Sequence, residues 1–389
     1  MADVKLQTIP VGSLAIIAME NIRPLAEKVD AYIAEWRKER EDAIGDEGLH
    51  FRGYQKDSYL LKTATPRFGS GEGKGQIMET VRGTDIYIML DVLNWSITYS
   101  LNGVPNHMSP DDHYADLKRI LNAICGKANR VSVIMPFLYC SRQHRRTGRE
   151  SLDCAAMLQE LISCGVSDII TFDAHDPRVA NAIPNNGFED FSCIYQFIKK
   201  IVNDTPDLQI DNDHLMIISP DEGGMNRAIA YANYLGVNVG MFYKRRDYTR
   251  IVNGKNPIVA HEYLGQDLEG KDVLIVDDMI SSGGSMLEVA EELKKRKANR
   301  VFCLSTYGLF TDGLEKFDKA YEEGTIYRVL TTNLTYQRPE LFEREYYGTV
   351  DLSKYIALII DNLNHNNSLN DLLVPTERIN RFLDSHVKK

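Results

Sequence analysis

Short apolar runs alternate along this chain with segments whose apolar residues recur at helical spacing. The runs predict strands over residues 85–90, 131–137, 168–172, 216–219, 237–243, 273–276, 300–307 and 326–332. The amphipathic segments predict helices over residues 22–40, 113–123, 152–162, 227–235, 286–297, 355–364 and 375–386. Strands that alternate with helices are typical of an α/β protein whose mainly parallel sheets are flanked by helices.

The order strand, loop, helix, strand occurs twice in similar form, at residues 131–172 and again at residues 272–307. The first loop carries arginines, whereas the second carries serines, glycines and an acid pair. The repeat predicts two similar domains, which we place at residues 1–185 and 186–374. No low-complexity linker separates them, so we expect them to pack together. Residues 1–60 show no chemistry, and we expect them to form an extension of the first domain.

The second loop has the composition of a phosphate-binding turn. The apolar run 273–276 is followed by the acid pair, Asp277 and Asp278. The sugar-phosphate loop comes next and consists of Ser281, Ser282, Gly283, Gly284 and Ser285. Glycines let successive backbone N–H groups turn toward one anion, and a helix start adds further donors and the positive end of its dipole. The loop is not a Walker loop, because no GK[ST] is present.

The acid pair narrows the class of ligand. Two carboxylates do not face the same phosphate, because like charges repel. They suit the vicinal hydroxyls of a sugar, or a hydrated Mg²⁺. The loop and the pair together predict a site for a sugar 5-phosphate. An ordinary strand–turn–helix without a ligand remains the alternative for the SGG turn alone.

Polar residues also follow two strands of the first domain. The basic loop, residues 142–149, holds Arg142, Gln143, His144, Arg145, Arg146 and Arg149. Open α/β sheets bind ligands past the carboxyl ends of their strands, and arginine forks suit polyphosphate. The basic loop therefore predicts triphosphate binding, with a solvated loop as the alternative. Asp173 and His175 follow the next strand and are spaced to reach a metal–phosphate complex; a capping Asp and a satisfied His are the alternative.

Two later segments complete the candidate chemistry. Asp221 and Glu222 precede two glycines in a strand-to-helix turn that would let a ribose or pyrophosphate approach the backbone. Lys244, Arg245 and Arg246 end a strand and precede a polar stretch, residues 247–268. We expect that stretch to be a mobile lid that brings positive charge onto a reacting phosphate. An exposed basic turn is the alternative.

Composition excludes several classes of function. The 389 residues are 43% hydrophobic and 26% charged, which is ordinary for a soluble globular protein. The net charge of −10 argues against nucleic-acid binding as the main function. No apolar run approaches the ~20 residues of a membrane span. The six cysteines show no metal-binding spacing and are typical of reduced thiols in a cytoplasmic protein.

In their order, these motifs resemble those of the ribose-phosphate pyrophosphokinase family, from about Arg67 to the C-terminus. The resemblance implies two tandem domains of the type I phosphoribosyltransferase kind, with the last helix, 375–389, folded back on the first domain. It also implies Mg²⁺-dependent transfer of the diphosphoryl group of ATP to the C1 hydroxyl of ribose 5-phosphate. The products would be 5-phosphoribosyl 1-diphosphate and AMP, for nucleotide biosynthesis.

The same resemblance implies roles for individual residues. The ATP contacts would be Phe68, Glu72, Arg142, Gln143 and His175. The contacts to the metal–nucleotide complex would be Asp173 and His175. The ribose 5-phosphate contacts would be Asp221, Asp277, Asp278 and residues 281–285. The catalytic cations would be Lys244 and Arg246. In the family, the loop matched by Phe68 and Glu72 reaches the adenine of a neighbouring subunit, which implies a homo-oligomer with its active site near a subunit interface.

The chain departs from the family pattern at several positions. Ser70 replaces an aspartate, which puts base selectivity in question, and His144 replaces an acid in a basic loop that is one residue shorter. Glu222 replaces a small or apolar residue, Ser281 replaces an aspartate, and the lid is longer. Two other functions share part of the pattern. A phosphoribosyltransferase would normally have one such domain, and a catalytically silent regulatory subunit would be expected to lose the lid cations or the metal contacts.

Overall fold

The computed structural model describes residues 9–44, 51, 53–246 and 258–386, except the side chains of residues 43, 44, 244–246 and 258–261. The chain divides into two compact units. The first unit comprises Met1–Ser192, Asn333–Tyr336 and Asp351–Val374. The second comprises Cys193–Thr332, Gln337–Val350 and Pro375–Lys389. The division near residue 192 lies close to the boundary expected at residue 185, but the chain returns to the first unit after the second has formed.

The first unit is built on a five-stranded parallel sheet. The strands of the whole unit, in chain order, are β1 (Ser13–Ala18), β2 (Thr63–Ala64), β3 (Gln76–Ile77), β4 (Thr84–Met89), β5 (Thr98–Leu101), β6 (Val104–His107), β7 (Arg130–Ile134), β8 (Asp168–Phe172) and β9 (Gly187–Phe191). The parallel sheet has the order β1-β4-β7-β8-β9, while β2–β3 and β5–β6 are antiparallel pairs. Because all five strands are parallel, the loops that leave their carboxyl ends lie at one edge of the sheet.

Helices cover this sheet and bury its apolar strands. They are α1 (Arg23–Ile44), α2 (Pro110–Ile124) and α3 (Asp153–Ser163), and later in the chain α8 (Ser353–Asn364) and α9 (Asn370–Leu373). Short 3₁₀ turns occupy Glu20–Ile22 and Pro177–Ala182. Every residue of β4 is buried, as expected for a parallel sheet covered on both faces. At the start of α2, the Ser109 hydroxyl accepts from the Asp112 N–H while Asp112 accepts from the Ser109 N–H, which forms a capping box.

The N-terminal residues are part of the first core, and our expectation of an extension over residues 1–60 is wrong for residues 13–44. Strand β1 pairs in parallel with β4 along its whole length, and five of its six residues are fully or almost fully inaccessible. Helix α1 confirms the predicted amphipathic helix, but its apolar side buries Val29 and Ile33 completely. The apolar run SLAIIA is short, and the strand it pairs with lies about seventy residues away, so the sequence alone did not reveal the pairing.

A buried polar network fastens α8 to this unit. The Arg37 guanidinium on α1 donates to Asp361 Oδ1 at 3.2 Å and to Asn364 Oδ1 at 2.7 Å. The Asn364 amide in turn donates to Asp85 Oδ2 on β4 at 2.7 Å. Arg37 is fully inaccessible to solvent, so each of its hydrogen bonds replaces one that water would otherwise make.

The second unit is built on a seven-stranded sheet. Its strands are β10 (Leu215–Ser219), β11 (Asn238–Arg246), β12 (Ile258–Leu264), β13 (Asp272–Ile280), β14 (Val301–Gly308), β15 (Arg328–Thr332) and β16 (Tyr347–Val350). The order is β12-β11-β10-β13-β14-β15-β16. All neighbours are parallel except β11 and β12, which are antiparallel. The α/β class and the repeated strand–loop–helix–strand order are therefore confirmed, with one copy in each unit.

The last helix lies on this second unit. The helices here are α4 (Ile194–Asp204), α5 (Met225–Leu235), α6 (Gly284–Lys295), α7 (Glu315–Glu322) and α10 (Thr376–His386), with a 3₁₀ turn at Pro339–Glu343. Helix α10 packs on α4 and α5, with the Arg378 guanidinium 4.5 Å from the centre of the Tyr195 ring. The expectation that the last helix returns to the first unit is wrong, and α8 makes that return instead. Among the described residues, no helix combines the length and apolar character that a membrane span requires.

Candidate active site

The sugar-phosphate loop lies where β13 passes into α6. Strand β13 continues through the acid pair to Ile280, further than its apolar run predicts, because it pairs with β14 beyond residue 276. Gly283 caps α6 with a φ of +83°, a left-handed conformation that favours glycine. The first hydrogen bond of the helix runs from the Leu287 N–H to the Gly283 carbonyl. The N–H groups ahead of it have no partner within the helix, which makes this terminus suited to an anion.

Residues distant in sequence hold the sugar-phosphate loop in place through backbone hydrogen bonds and a ring contact. The Thr311 N–H donates to the Ser281 carbonyl at 2.9 Å, and the Leu309 N–H donates to the Ile280 carbonyl at 2.8 Å. The ring of Phe317, which is inaccessible to solvent, lies directly under Gly283 and leaves no room there for a β-carbon. Sequence reasoning missed Phe317 as a supporting residue, because nothing local connects it to the loop.

The acid pair is half-buried at the end of β13. The Asp278 N–H donates to Asp277 Oδ1 at 2.8 Å. Burial raises the pKa of Asp277 above its usual range, and the adjacent Asp278 carboxylate raises it further. Arg227, in the first turn of α5, opposes both effects from 4.0 Å between its Nη1 and Asp277 Oδ1. Sequence reasoning placed Arg227 in the glycine-containing turn but did not assign it to the acid pair.

Asp221 lies in the loop after β10, beside the acid pair, since β10 and β13 are neighbours in the sheet. Its Oδ1 accepts a hydrogen bond from the Gly224 N–H at 3.1 Å, and its carbonyl accepts from the Ser219 hydroxyl at 2.6 Å. One carboxylate oxygen of Asp221 therefore shapes the turn that begins α5. A β-carbon at Gly224 would stand 2.8 Å from the Ser219 hydroxyl, so the close turn requires glycine.

The lid segment differs from its expected form. Lys244 and Arg246 belong to β11, whose backbone pairs with β12 up to a register shift between Arg245 and Arg246. The expected polar stretch 247–268 therefore contains a strand at Ile258–Leu264, while residues 247–257 lie outside the described part of the chain. The side chains of Lys244 and Arg246 are also outside it, so their catalytic roles stay predictions. Edge strands of mixed polarity resemble loops in sequence, which explains why β12 was missed.

The basic loop follows β7 in the first unit, and Asp173 and His175 follow β8, the neighbouring strand. Arg142 is exposed, whereas the Gln143 amide donates to the Ser151 carbonyl at 2.8 Å and holds the loop closed. Asp173 has a φ of +44°, and its N–H donates to the Phe191 carbonyl at 3.0 Å. A strained backbone held by its surroundings is common at ligand sites. The loops that hold Arg142, Gln143, Asp173 and His175 lie at the same edge of the first sheet, because β7 and β8 are neighbouring strands. The roles of these four residues in binding the nucleotide stay predictions.

Two imidazoles meet between these loops. The ring centres of His144 and His175 are 5.4 Å apart, with a tilt of 58°. The His144 Nε2 lies 3.4 Å from Asp176 Oδ2. Arg178 holds Asp176 through both carboxylate oxygens, and this hydrogen bonding lowers the pKa of Asp176 to about 2. His144 and Asp176 were not among the predicted contacts of the metal–nucleotide complex.

Phe68 and Glu72 form a tight turn between β2 and β3, next to α2. The Phe68 N–H donates to the Glu72 carbonyl at 2.8 Å, and the Ser70 hydroxyl donates to the Glu72 carboxylate at 2.8 Å. The turn presents the Phe68 ring to solvent, with 57% of the residue exposed. An exposed ring on a rigid turn is suited to stacking, and its contact with the base of a nucleotide stays a prediction.

Comparison with known proteins covers both units. Residues 14–165 match the family described as the N-terminal domain of ribose phosphate pyrophosphokinase, and residues 192–330 match the phosphoribosyl transferase domain. The match begins at residue 14, well before Arg67, where we expected it to begin. This agrees with the position of β1 in the first sheet.

Individual relatives agree with these matches. The ribose-phosphate pyrophosphokinase of Vibrio cholerae is 30% identical over 256 residues, which covers 64% of this chain and 72% of that protein. The enzyme of the same name from Vibrio parahaemolyticus is 28% identical over 316 residues, 80% of this chain and 90% of the relative. The crystal structure of phosphoribosylpyrophosphate synthetase from Mycobacterium smegmatis has the same fold, with a TM-score of 0.70 at 19% identity over 91% of this chain and 100% of that one. By these matches in both units, the chain belongs to the ribose-phosphate pyrophosphokinase family.

Proposed function

We propose that this protein transfers the diphosphoryl group of ATP to the C1 hydroxyl of ribose 5-phosphate. The observation that carries the proposal is the order found in the second unit, where β13 ends in the acid pair and passes through the sugar-phosphate loop into α6. That arrangement offers an anion site and a carboxylate pair on one short segment. A sugar phosphate has the matching groups, because its phosphate and its hydroxyls are held apart by the ring.

The second unit would bind the acceptor. The N–H groups at the start of α6, with Ser281, Ser282 and Ser285, would donate to the 5-phosphate. Asp277 and Asp278 would accept hydrogen bonds from the ribose hydroxyls, and Asp221 would orient the turn beside them. The loop needs little rearrangement for this role, since Thr311 and Phe317 already hold it in place. Pre-positioned groups of this kind lower the entropic cost of bringing two reactants together.

The first unit would bind the donor. Arg142 and Gln143 lie in a loop next to His175, at the carboxyl edge of β7 and β8, and would hold the polyphosphate. Phe68 and Glu72 would bind the adenine, and we propose that they do so for a neighbouring subunit of a homo-oligomer. Ser70 is tied to Glu72 by a hydrogen bond, so it would act on the base through that carboxylate. We further propose that the protein works in the cytoplasm.

Asp173 and His175 would hold Mg²⁺ together with oxygens of the nucleotide. A carboxylate and an imidazole are suitable donors, but within the described ranges no three His, Cys, Asp or Glu side chains converge to hold a metal ion by themselves. The remaining ligands would therefore be phosphate oxygens and water, as is usual for Mg²⁺ with a nucleotide. The metal would supply charge neutralisation on the transferred group.

The reaction forms one bond and breaks another. The C1 hydroxyl oxygen of the sugar attacks the β-phosphorus of ATP, and the bond from that phosphorus to the oxygen bridging it to the α-phosphorus breaks. AMP leaves with the electron pair, and the hydroxyl proton passes to solvent. Lys244 and Arg246 would stabilise the negative charge that develops on the transferred group. Closure of the segment after β11 would exclude water and so limit hydrolysis of ATP.

The test is AMP release from ATP and Mg²⁺, with and without ribose 5-phosphate, with the phosphorylated sugar product identified by ³¹P NMR. We expect AMP release to require the sugar and to match the product in amount. Asp277→Asn should raise the KM for the sugar, whereas Asp312→Asn, an exposed carboxylate of the same unit, should leave it unchanged.

Two other results would indicate a different function for this protein. Binding of ribose 5-phosphate without any AMP release, with every common nucleoside triphosphate, would indicate a catalytically silent subunit. Consumption of 5-phosphoribosyl 1-diphosphate with a nucleobase would indicate a phosphoribosyltransferase. Either result would overturn the proposed diphosphoryl transfer.

A further inference from the structure

His144 occupies a position that the proposed donor chemistry does not explain. His144 belongs to the basic loop, which follows β7. Its ring lies against the ring of His175, which follows β8, with the two ring centres 5.4 Å apart. The His144 ring is largely buried, with 14% of its side chain accessible. A solvated loop histidine would instead face water. The His144 ring is therefore held between the basic loop and the loop that carries His175.

The neighbours of His144 distinguish its two ring nitrogens. Nε2 lies 3.4 Å from Asp176 Oδ2, and the Arg178 guanidinium donates to both oxygens of that carboxylate. A carboxylate at this distance favours a proton on Nε2. Nδ1 then keeps its lone pair, and in the structure this atom is buried without a hydrogen-bond partner. A buried acceptor without a partner costs free energy, so something must compensate for it.

A divalent cation is the ligand that this arrangement suits. Histidines that bind metals usually donate their second ring N–H to a carboxylate, which fixes the tautomer and the ring orientation. His144 has a corresponding set of neighbours, because its Nε2 lies 3.4 Å from the Asp176 carboxylate while its buried Nδ1 has no hydrogen-bond partner. Metal–nitrogen bonds of about 2.1 Å place two adjacent imidazole centres roughly 4.5–5.5 Å apart, and the observed spacing lies in that range.

We propose that His144 is a nitrogen ligand which, with His175, binds the divalent cation of the donor nucleotide and makes this site favour Mn²⁺ or Co²⁺ over Mg²⁺. This inference rests on the proposed function only for the identity of the nucleotide. Imidazole nitrogen raises affinity for Mn²⁺ and Co²⁺ relative to Mg²⁺, which prefers oxygen ligands throughout. Phosphate oxygens complete the coordination, since the described side chains do not bring three ligands together.

The test measures metal binding without turnover. Mn²⁺ is titrated by electron paramagnetic resonance into the full-length protein with α,β-methylene-ATP and no ribose 5-phosphate, and Mg²⁺ affinity is obtained by competition. His144→Gln keeps an amide near the Nε2 position and loses Nδ1, whereas His144→Asn keeps a polar atom near the Nδ1 position and loses Nε2. Circular dichroism confirms that each variant is folded.

We expect His144→Gln to weaken Mn²⁺ binding by at least about tenfold, with Mg²⁺ affinity changed by less than about threefold. His144→Asn should retain more of the Mn²⁺ affinity than His144→Gln. Pulsed spectra should show ¹⁴N coupling from two imidazoles in the native protein and from one in His144→Gln. An unchanged ratio of Mn²⁺ to Mg²⁺ affinity, or unchanged ¹⁴N coupling, would overturn the assignment.

A second variant keeps the test decisive if His144→Gln does not fold. Asp176→Asn removes the charged partner of Nε2 and should weaken Mn²⁺ binding by about 10-fold, the usual effect of losing such a partner. Undiminished Mn²⁺ affinity in Asp176→Asn would count against the proposal. Because no sugar is present, failure of the proposed diphosphoryl transfer leaves these results unaffected, and the two proposals can fail separately.

Discussion

The ring of Phe317 fills the space directly beneath Gly283, although the two residues lie on different elements and 34 positions apart. Phe317 is the third residue of α7, and its ring packs edge-on against the ring of Phe310, with ring centres 5.1 Å apart. Phe310 itself has a φ of +48°, uncommon for a bulky residue. The aromatic pair therefore fixes the position of the sugar-phosphate loop between β13 and α6.

This contact predicts the effect of Gly283→Ala. The new methyl group would displace the loop from Phe317, and the left-handed backbone alone costs about 1–2 kcal/mol. Because the displaced N–H groups would no longer converge on the phosphate, we expect the KM for ribose 5-phosphate to rise by about tenfold, the effect of losing about 1.4 kcal/mol of binding free energy. Gly324→Ala is the matched control, because Gly324 has a similar φ of +70° with open space around it. It should lower the melting temperature similarly and leave the KM unchanged; equal KM values for the two variants would refute the supporting role of Phe317.

The acid pair predicts a stability that depends on pH. Asp277 has a folded-state pKa above its ordinary value of 3.8, so between these two values the folded state holds a proton that the unfolded state has lost. Stability must therefore fall as pH rises through that window. Asp277→Asn removes this loss, and its melting temperature should exceed that of the native protein by an increasing margin from pH 4 upward. Calorimetry in a pH series measures the margin, and a constant difference would contradict the raised pKa.

Arg227 predicts how sugar binding changes with pH. Its charge lowers the pKa of Asp277, and an ionised Asp277 has more acceptor sites for ribose hydroxyls. In Arg227→Gln the pKa of Asp277 should rise further, so that the affinity for ribose 5-phosphate increases at a higher pH than in the native protein. Arg227→Lys keeps the charge and should shift the profile less. Calorimetric titration of the sugar gives both profiles, and because the sugar's own phosphate titrates equally in all three proteins, superimposable curves would exclude this role for Arg227.

The parts of the site that lie on contiguous sequence could be predicted, and those built by tertiary contact could not. Asp277 through Ser285 are consecutive, so their composition alone indicated a sugar phosphate. Arg227 and Phe317 reach the same segment from α5 and α7, and no local pattern relates them to it. A contact between distant elements depends on the order of strands in the sheet, which hydrophobic periodicity does not specify.

The same limit explains the errors in the fold. The apolar side of α10 was visible in the sequence, since Ile379 and Phe382 recur at helical spacing and are buried. The pattern shows that a face is covered, but the covering element, here α4 and α5, depends on the tertiary structure. Strand β1 was missed for a related reason, because six apolar and small residues near a terminus are also compatible with a disordered start.

The buried network of the first unit predicts a large loss of stability on Arg37→Ala. Removal of Arg37 leaves Asp361 Oδ1 and Asn364 Oδ1 without their donor in the interior, and each such unsatisfied group typically costs about 1–3 kcal/mol, although Arg40 still pairs with Asp361 Oδ2. Lys28→Ala is the control on the same helix, because its ion pair with Asp351 is exposed and should contribute less than about 1 kcal/mol. Urea denaturation gives both values, and similar losses for the two variants would show that the network does not hold α8 to this unit.

Lys244→Ala tests the assignment of the lid. The backbone of Lys244 is fixed in β11 by pairing with His261 on β12, so the substitution should remove a charge without unfolding the strand. Loss of one group that stabilises developing charge typically lowers kcat by about 10²–10³-fold, and two cooperating cations should make turnover fall to the assay limit. Binding of ribose 5-phosphate should remain nearly intact, because the sugar-phosphate loop lies on β13 and α6. Arg245→Ala removes an equal charge from the same strand at a position with no predicted catalytic role, and it should keep most of the turnover. Native turnover in Lys244→Ala, or equal losses in both variants, would show that position 244 does not act on the transferred group.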